Sequence, residues 1–505
     1  MKRILLYLFC LLIISRGLAQ STLVFSKQYN FGNSFSHLSF SVFNYGNDFL
    51  LAGLTQSTSS NFGGIGIIKL DSLGNVKWQK QTFGHTNYRY TNNTANQFFK
   101  RLSNGNIVVT GQYPIALNYT RGVLARINQN NGDTLWVKEY TQPGDTSYLQ
   151  CTTEQSDSSL IILGYKYFAT TTSTPTVRPF MMKTDKSGNY LWHKYLFTNS
   201  INYYPMFQKI CRINDNDFIA ICINHYSGTN FQSAIMRLDT NANVTYSVGT
   251  TGVNNSFLYD VLKLQDGNYL SVGSYFSYND GTNTKSRKLI YKFDGATGAK
   301  ITDKRFNWQA NTNGMLSLAQ QVDGAIIVTG LTGYAFPVNT YYGIADILKL
   351  SSNLDSIRTM YLTDGVLAND KASSSFILMP DGGYALAMQV YPASGQQKFW
   401  LIKTDSLGCD SASCTATAGI KESTNYAAIL KAYPNPADNK LYVDLSNMRM
   451  CNRIELVDVF GIEVKRINLV SELVELNIDD LEAGAYFLKL YVDKNLIGTK
   501  KLIKN

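Results

Sequence analysis

The sequence predicts an all-β protein, a seven-bladed β-propeller whose ring is closed by the N-terminal strand, followed by a small C-terminal β-sandwich. Three observations predict this class. A strand–turn–strand segment recurs seven times, each repeat divides into four short strands, and one strand is left over at the N-terminal end of the chain. The composition agrees, since 13% aromatic and only 16% charged residues suit packed strands joined by turns.

The recurring segment is first seen at residues 64–78, an apolar strand, a polar turn and a second strand. In successive repeats its strand ends at positions 71, 128, 185, 239, 294, 351 and 405, spaced by 57, 57, 54, 55, 57 and 54 residues. A near-constant period of this size is typical of propeller blades, because it is somewhat longer than a WD repeat and close to a kelch repeat.

Each repeat contains four predicted strands, as the second repeat illustrates. Residues 97–102 and 107–111 form a hairpin around the turn 103–106, where Asn104-Gly105 supplies the positive φ angles of a tight turn. Residues 122–128 and 135–140 supply the third and fourth strands. Four antiparallel strands in about 55 residues make one blade.

The seventh repeat ends after its third strand, at residues 405–409, and no fourth strand follows. The N-terminal residues 23–32 resemble the fourth strand at 76–84 and have no repeat of their own. We therefore expect them to complete the last blade and close the ring, which removes the open edges of a linear stack. An open solenoid is the alternative.

Large rings recur at one position of the fourth strand, at Trp78, Trp136, Trp192 and Tyr246. A ring repeated at the same place in successive blades indicates packing between blades. Asp71 and Asp185 begin the turns that precede these strands, and we expect their carboxylates to bond to their own turns.

Residues 1–19 have the pattern of a secretory signal peptide. Lys2 and Arg3 precede an apolar run at 4–14, and small residues before Ala19 predict cleavage between Ala19 and Gln20. The run is too short for a membrane span, and none is expected elsewhere. The formal net charge of +10 is scattered rather than clustered, so nucleic-acid binding is not expected.

Six cysteines remain after that cleavage, and export permits disulfides. Cys409 and Cys414 flank a short polar turn and are predicted to form a local bridge. Cys211 and Cys222 lie on two arms of one hairpin, a weaker pairing because they are not directly opposite. Cys151 and Cys451 have the apolar neighbours of buried residues.

The chain changes character after Gly408, with a linker at 409–430 followed by alternating strands at 431–505. Its motifs are Tyr-Pro-Asn-Pro, a strand running into Gly, Gly-x-Tyr-x-Leu-Lys and a final Lys-Lys-Leu-Ile-Lys. The residues concerned are Tyr433, Pro434, Asn435, Pro436, Gly461, Gly484, Tyr486 and Lys489.

These motifs, in this order, resemble the type A C-terminal sorting domain of type IX (Por) secretion cargo in the Bacteroidota. The resemblance implies export through the inner membrane by the signal peptide and across the outer membrane by the sorting domain, handled by the type IX secretion machinery. It also implies release, or attachment to surface lipopolysaccharide after the domain is removed. The propeller is then expected at 20–408.

No catalytic or cofactor pattern stands out. The four histidines, His37, His85, His193 and His225, lack metal-ligand spacing, and there is no phosphate loop or nucleophile elbow. Neither the sialidase Asp box nor the quinoprotein pattern fits the Asp-turn spacing. The turns 215–217 and 279–281 offer oxygen atoms to calcium but lack the full spacing of a calcium loop, so no cofactor is expected.

The most informative pattern is therefore geometric. The hairpins between strands one and two, and the turns between strands three and four, lie at one end of the blades, the turn face. The loops between strands two and three and the blade connections lie at the opposite end, the loop face. Tyr113, Tyr119, Tyr165, Tyr167, Tyr226, Tyr275, Tyr278, Tyr334, Tyr341 and Tyr342 are assigned to these loops, and Tyr88, Tyr90, Tyr203, Tyr204 and Trp308 to the connections.

Loops on a rigid scaffold commonly carry binding residues, and tyrosine combines contact area with a polar tip. The main hypothesis is thus a secreted or surface-held protein that binds a glycan or protein ligand through the loop face. The alternative is a polysaccharide hydrolase or lyase whose carboxylates meet at the channel, and a third hypothesis is a structural, adhesive coat component.

Overall fold

The computed structural model consists of β-strands and turns in nine sheets over the residues that it describes. Those residues are 24–31, 35–57, 63–82, 98–116, 119–140, 146–168, 176–197, 204–225, 231–250, 253, 255–277, 285–306, 312–335, 341–362, 370–391, 397–410, 430–445, 453–458, 463–468, 473–492 and 495–505.

Seven of the sheets have four antiparallel strands each and form the blades. Blade 1 contains β2 (Phe35–Tyr45), β3 (Asp48–Ser57), β4 (Gly63–Leu70) and β5 (Val76–Thr82). Blade 2 contains β6 (Phe99–Arg101), β7 (Ile107–Ala116), β8 (Tyr119–Ile127) and β9 (Thr134–Tyr140). Blade 3 contains β10 (Thr146–Glu154), β11 (Leu160–Phe168), β12 (Thr176–Thr184) and β13 (Tyr190–Tyr195).

The next three blades repeat this order. Blade 4 contains β14 (Tyr204–Arg212), β15 (Asp217–His225), β16 (Phe231–Asp239) and β17 (Val244–Gly249). Blade 5 contains β18 (Ser256–Lys263), β19 (Tyr269–Ser277), β20 (Lys285–Phe293) and β21 (Lys300–Phe306). Blade 6 contains β22 (Thr312–Gln320), β23 (Ile326–Ala335), β24 (Tyr341–Leu350) and β25 (Ser356–Leu362).

The predicted closure of the ring by the N-terminal strand is confirmed. Blade 7 has only three consecutive strands, β26 (Asp370–Leu378), β27 (Tyr384–Tyr391) and β28 (Phe399–Lys403). Its fourth strand is β1 (Phe25–Tyr29), which pairs antiparallel with β28 from Phe25 opposite Lys403 to Tyr29 opposite Phe399. Residues 370 to 378 positions apart are thus held together by backbone hydrogen bonds.

The first strands of the blades surround a central channel. In cyclic order β2, β6, β10, β14, β18, β22 and β26 each contact the next, and β26 contacts β2. The apolar cores lie between neighbouring blades. The seam between blades 7 and 1, for example, buries Phe25, Val42, Phe49, Ala387 and Phe399 in one cluster.

The recurring rings of the fourth strands pack between blades, as expected. Trp78 lies against Gly132 in the turn of blade 2, and Trp136 lies against Gly188 in the turn of blade 3. Their six-membered rings occupy the space that a Cβ at either glycine would need. Tyr246 contacts Gly298 of blade 5 in the same way.

The C-terminal segment forms a two-sheet sandwich, as predicted. One sheet contains β29 (Lys431–Tyr433), β30 (Lys440–Asp444) and β33 (Leu473–Asn477). The other contains β31 (Arg453–Val457), β32 (Glu463–Asn468), β34 (Gly484–Val492) and β35 (Asn495–Lys504). Leu441, Val443, Ile454, Leu488 and Leu490 are buried between them.

The cysteines partly follow the sequence prediction. Cys409 is disulfide-bonded, and its predicted partner Cys414 lies outside the described residues, as does Cys451. Cys151 is buried and free, as predicted. The suggested Cys211–Cys222 bridge is wrong, because both thiols are free.

The β-register explains that error. Cys211 pairs with Ile219 and shares its side of the sheet, whereas Cys222 is three residues further along the same strand. Side chains alternate between the two sides of a strand, so an odd offset places the two sulfurs on opposite sides of the blade.

Candidate functional site

The structure describes the side chains of only some of the aromatic residues expected on the loop face. Six of the fifteen aromatic residues expected there, with the predicted signal-cleavage residues Ala19 and Gln20, lie outside the described residues: Tyr88, Tyr90, Tyr203, Tyr226, Tyr278 and Trp308. Six others have a described backbone but no described side chain: Tyr113, Tyr119, Tyr204, Tyr334, Tyr341 and Tyr342. Their contribution to a binding surface stays a prediction.

The structure corrects where several of these residues lie. Tyr113 was expected in a loop but belongs to β7, opposite Arg121 of β8. Tyr341 and Tyr342 belong to β24, and Tyr165 belongs to β11. The second and third strands extend beyond the short apolar cores that predict them, because aromatic and polar residues also pair well at strand ends. These tyrosines therefore lie at the strand ends that border the loop face.

Tyr165 has the best-defined surroundings of the predicted group. Its ring stacks on Tyr148, the residue directly opposite it on β10, with ring centroids 4.6 Å apart and an interplanar angle of 18°. Both rings are half-buried, and so is Tyr167, two residues further along the same side of β11. The sequence did not single out Tyr148, since only the register shows that it faces Tyr165.

A second aromatic group lies at the corresponding end of blade 5. Phe257 of β18 and Phe276 of β19 meet edge to face, with centroids 5.1 Å apart. The Arg305 guanidinium lies over the neighbouring Tyr275 ring, 5.5 Å from its centroid. Burial raises the pKa of Tyr275, so this phenol stays a hydrogen-bond donor at neutral pH.

A small cavity of about 200 Å³ opens at the outer edge of the ring, between blades 2 and 3. It is lined by Glu139, Tyr140, Lys166, Phe180, Met182, Tyr190 and His193. The His193 ring packs edge-on against Phe180 and Tyr195, and the Tyr190 hydroxyl is 2.9 Å from its Nδ1 atom. Glu139 forms an ion pair with Arg121 at 2.7 Å. The volume is below the range of ordinary ligand pockets.

In the central channel, one carboxylate has a full set of partners. Asp260 follows a β-bulge in β18 and forms an ion pair with Lys209, which follows a bulge in β14. Its oxygens also accept from the backbone N–H of Val261 at 2.8 Å and of Leu318 at 3.0 Å. A bulge changes the direction of the side chains beside it, so strand patterns in the sequence do not reveal this pairing.

The aspartates of the turn face bond within the fold. Asp71 accepts from the backbone N–H groups of Leu73 and Asn75, and Asp185 accepts in the same way from Ser187 and Asn189. These hydrogen bonds lower the pKa of both carboxyls, as Asx turns should.

Asp215, in a turn considered for calcium, also bonds within the fold, but to the turn of the preceding blade. It accepts from the backbone N–H of Ser156 at 2.9 Å. Among the described residues there is no group of three acidic, histidine or cysteine side chains that could hold a metal ion.

The Tyr-Pro-Asn-Pro segment of the C-terminal sandwich binds the last strand of the chain. The Asn435 side chain donates to the Lys501 carbonyl at 3.0 Å and accepts from the Ile503 N–H at 2.8 Å. The peptide bonds before Pro434 and Pro436 are both cis. The two ends of the sorting motif therefore form one structural unit.

The other motif residues occupy the second sheet. Gly484 begins β34, which also contains Tyr486 and Lys489. The Tyr486 hydroxyl donates to the Glu482 carbonyl at 2.9 Å. Gly461 lies outside the described residues.

Comparison with known families identifies the C-terminal unit. Residues 431–505 match the family described as the secretion system C-terminal sorting domain. The protein is thus a β-propeller carrying a type IX sorting domain, and this domain directs it to the cell surface or the medium through the type IX machinery. Its origin in the Bacteroidota is inferred from the domain. The described residues contain no helix long and apolar enough to cross a membrane.

Solved structures resemble the chain only in general architecture. An ulvan lyase described as a new family of polysaccharide lyase has a TM-score of 0.48 at 10% identity, covering 76% of this chain and 97% of that one. The quinohemoprotein alcohol dehydrogenase of Comamonas testosteroni scores 0.46 at 10% identity, covering 80% of each chain.

The β-propeller domain of the Trilobed protease of Pyrococcus furiosus scores 0.38 at 9% identity, covering 74% of this chain and 95% of that one. No curated protein matches the chain. Identities near 10% and TM-scores below 0.5 say nothing about activity.

Proposed function

We propose that the protein is a binding or adhesion module, secreted or held at the cell surface, whose loop face binds a glycan or a protein. The proposal places a signal peptide at 1–19, the propeller at 20–408 and a linker at 409–430. The observation that carries it is the stacked pair of Tyr148 and Tyr165 with Tyr167 beside it.

Half-buried tyrosines of this kind suit recognition for a physical reason. A ring already held by a stacking partner loses little rotamer freedom when a ligand packs on it. Its hydroxyl can donate to, and accept from, the hydroxyl groups of a sugar or the backbone of a peptide. The Phe257, Phe276 and Tyr275 group offers a second surface of similar character on blade 5.

The alternative function, a polysaccharide hydrolase or lyase acting at the channel, has less support. A general acid or base needs a carboxylate that can reach the substrate and exchange a proton with it. Asp260 is instead buried and bonded to Lys209 and to the backbone of Leu318. This environment favours a structural role for Asp260, and the hydrolase alternative then depends on other carboxylates.

A glycan array probed with the purified protein tests the proposal, and a peptide library tests the protein-ligand version. Tyr165→Ala should weaken any binding by about fivefold or more, since a lost aromatic contact is worth ~1–3 kcal/mol. Tyr190→Ala is the matched control, because it removes an exposed tyrosine from the outer edge. Equal binding by the protein and by Tyr165→Ala would refute the assignment of this surface, and product release from a polysaccharide would favour the enzyme instead.

A further inference from the structure

The cavity between blades 2 and 3 can hold one small ring. Its volume is about 200 Å³, and a cavity of roughly 150 Å³ lined by apolar side chains holds benzene. Phe180 and Met182 form a buried apolar wall, while Tyr190 at the outer edge is exposed. A ring that enters from the surface can therefore pack against this wall.

The strand register brings two cations together beside that wall. Lys166 of β11 is buried and lines the cavity, and Arg178 is the residue directly opposite it on β12. Directly opposite side chains project from the same side of a sheet, with Cβ atoms about 4.5–5.5 Å apart, and like charges in such a pair repel each other. Gly164 and Phe180 are the next pair on this side, so both cations are neighbours of the Phe180 ring.

The strands around the cavity supply little negative charge. Glu139 is the only carboxylate on the described strands β8, β9, β11, β12 and β13, and it forms an ion pair with Arg121 at 2.7 Å. The Arg178 guanidinium lies over the Tyr195 ring, 5.3 Å from its centroid, on the side of blade 3 that faces the cavity. The wall of the cavity is therefore richer in positive than in negative charge.

We propose that the cavity binds a carboxylate carried on a six-membered ring, with the carboxylate at Lys166 and Arg178 and the ring against Phe180. A bound carboxylate accepts charge-assisted hydrogen bonds from the ammonium and guanidinium groups and offsets the repulsion between them. Lys166 projects from the opposite side of β11 to Tyr165 and Tyr167, so this site does not depend on the function proposed for the loop face. Uronic acids and aromatic acids both carry the required group on such a ring.

Titrations of the purified full chain with glucuronate, and separately with benzoate, test the proposal by ligand-observed NMR and distinguish the two kinds of ring. Glucose and benzamide are the uncharged comparisons, and each should bind more weakly than the matching carboxylate. Lys166→Met should weaken binding of the preferred carboxylate by about tenfold or more, the loss of one charge-assisted hydrogen bond. Lys183→Met is the matched control and should bind like the parent, because Lys183 is on the other side of β12 and pairs with Asp157 at 3.7 Å.

Photolabelling of the unaltered protein keeps the proposal testable if a variant fails to fold. A photoreactive azidobenzoate should label peptides that contain cavity residues such as Phe180 and His193, and an excess of the preferred carboxylate should prevent this labelling. A ligand of the loop face should instead lose affinity with Tyr165→Ala, which separates failure of one site from failure of the other. Absence of binding by both carboxylates, equal binding of the uncharged comparisons, equal binding by Lys166→Met, or labelling confined to other parts of the chain would overturn the proposal.

Discussion

The contact between Trp78 and Gly132 is the clearest case in which one substitution should damage the join between blades. Gly132 has φ = +73°, and a Cβ added there would come within 2.7 Å of the Trp78 ring. Gly267 has φ = +86° in a hairpin of blade 5, and a Cβ there would meet nothing within 4 Å. Alanine would therefore introduce backbone strain at both positions, but a steric clash only at position 132.

The expected magnitudes follow from that difference. An L-residue in the left-handed region costs roughly 1–2 kcal/mol, which applies to alanine at both positions. Overpacking adds roughly 1–3 kcal/mol at position 132 alone. Gly132→Ala should therefore lower the free energy of unfolding by about 2–5 kcal/mol and Gly267→Ala by about 1–2 kcal/mol.

Urea denaturation followed by tryptophan fluorescence and circular dichroism would measure both values. A double variant with Trp78→Ala separates the two causes, since alanine at position 132 should then cost no more than alanine at position 267. Equal destabilisation by the two single variants, or an unchanged cost of Gly132→Ala when Trp78 is absent, would refute the argument.

Three further predictions concern a buried ion pair, a turn and the sorting domain. Asp346→Ala should destabilise the propeller by about 3–5 kcal/mol in thermal or urea unfolding, because it leaves the ammonium of Lys288 buried without its carboxylate; a loss below 1 kcal/mol would contradict this. Hydrogen bonds from Asn189 lower the pKa of Asp185, so its contribution to stability is present above about pH 4 and is lost as the pH falls through the lowered value. Asp185→Asn should therefore be less stable than the parent at pH 6, with the difference shrinking in strong acid; a difference independent of pH would contradict the linkage. Ending the chain before Leu430, which is buried in the sandwich core, should trap the protein in the periplasm, and fractionation showing it at the surface would refute the sorting assignment.

The fold could be predicted from the sequence because its signals are local and repeated. The strand–turn–strand segment marks each blade, and the missing fourth strand after residue 405 has its counterpart in β1. The register of each strand pair, in contrast, could not be predicted from the sequence. Tyr148 and Lys209 acquire their neighbours only from strand pairing and bulges, and neither residue stands out in its own segment.

The candidate site was harder to predict for a related reason. Tyrosines such as Tyr113 and Tyr341 fall where apolar alternation fades, so the sequence suggests loops where the structure continues the strands. The charges of Lys209, Arg212 and Glu154 were visible in the sequence, but the groups with which each of them bonds were not. Such pairing joins residues 51 or 58 positions apart, close to one blade period, but which side chains meet depends on the strand register and the bulges.

The turn that follows the third strand of each blade shows which feature of the repeat is kept in all seven blades. One residue of this turn has a positive φ angle in all seven blades: Gly74, Gly132, Gly188, Ala242, Gly298, Leu354 and Gly408. Glycine adopts this conformation without cost, whereas Ala242 and Leu354 are strained by roughly 1–2 kcal/mol each.

Leu354 offsets its strain by burial, since its side chain is 3% exposed within the core between blades 5 and 6. Fully burying a leucine contributes ~1.5–3 kcal/mol, which is at least the size of the strain. What recurs is therefore a backbone conformation that lets the turn of one blade pack against the outer strand of the preceding blade. A search for glycine alone finds five of these seven turns. The other two, at Ala242 and Leu354, keep the same backbone conformation with a side chain present.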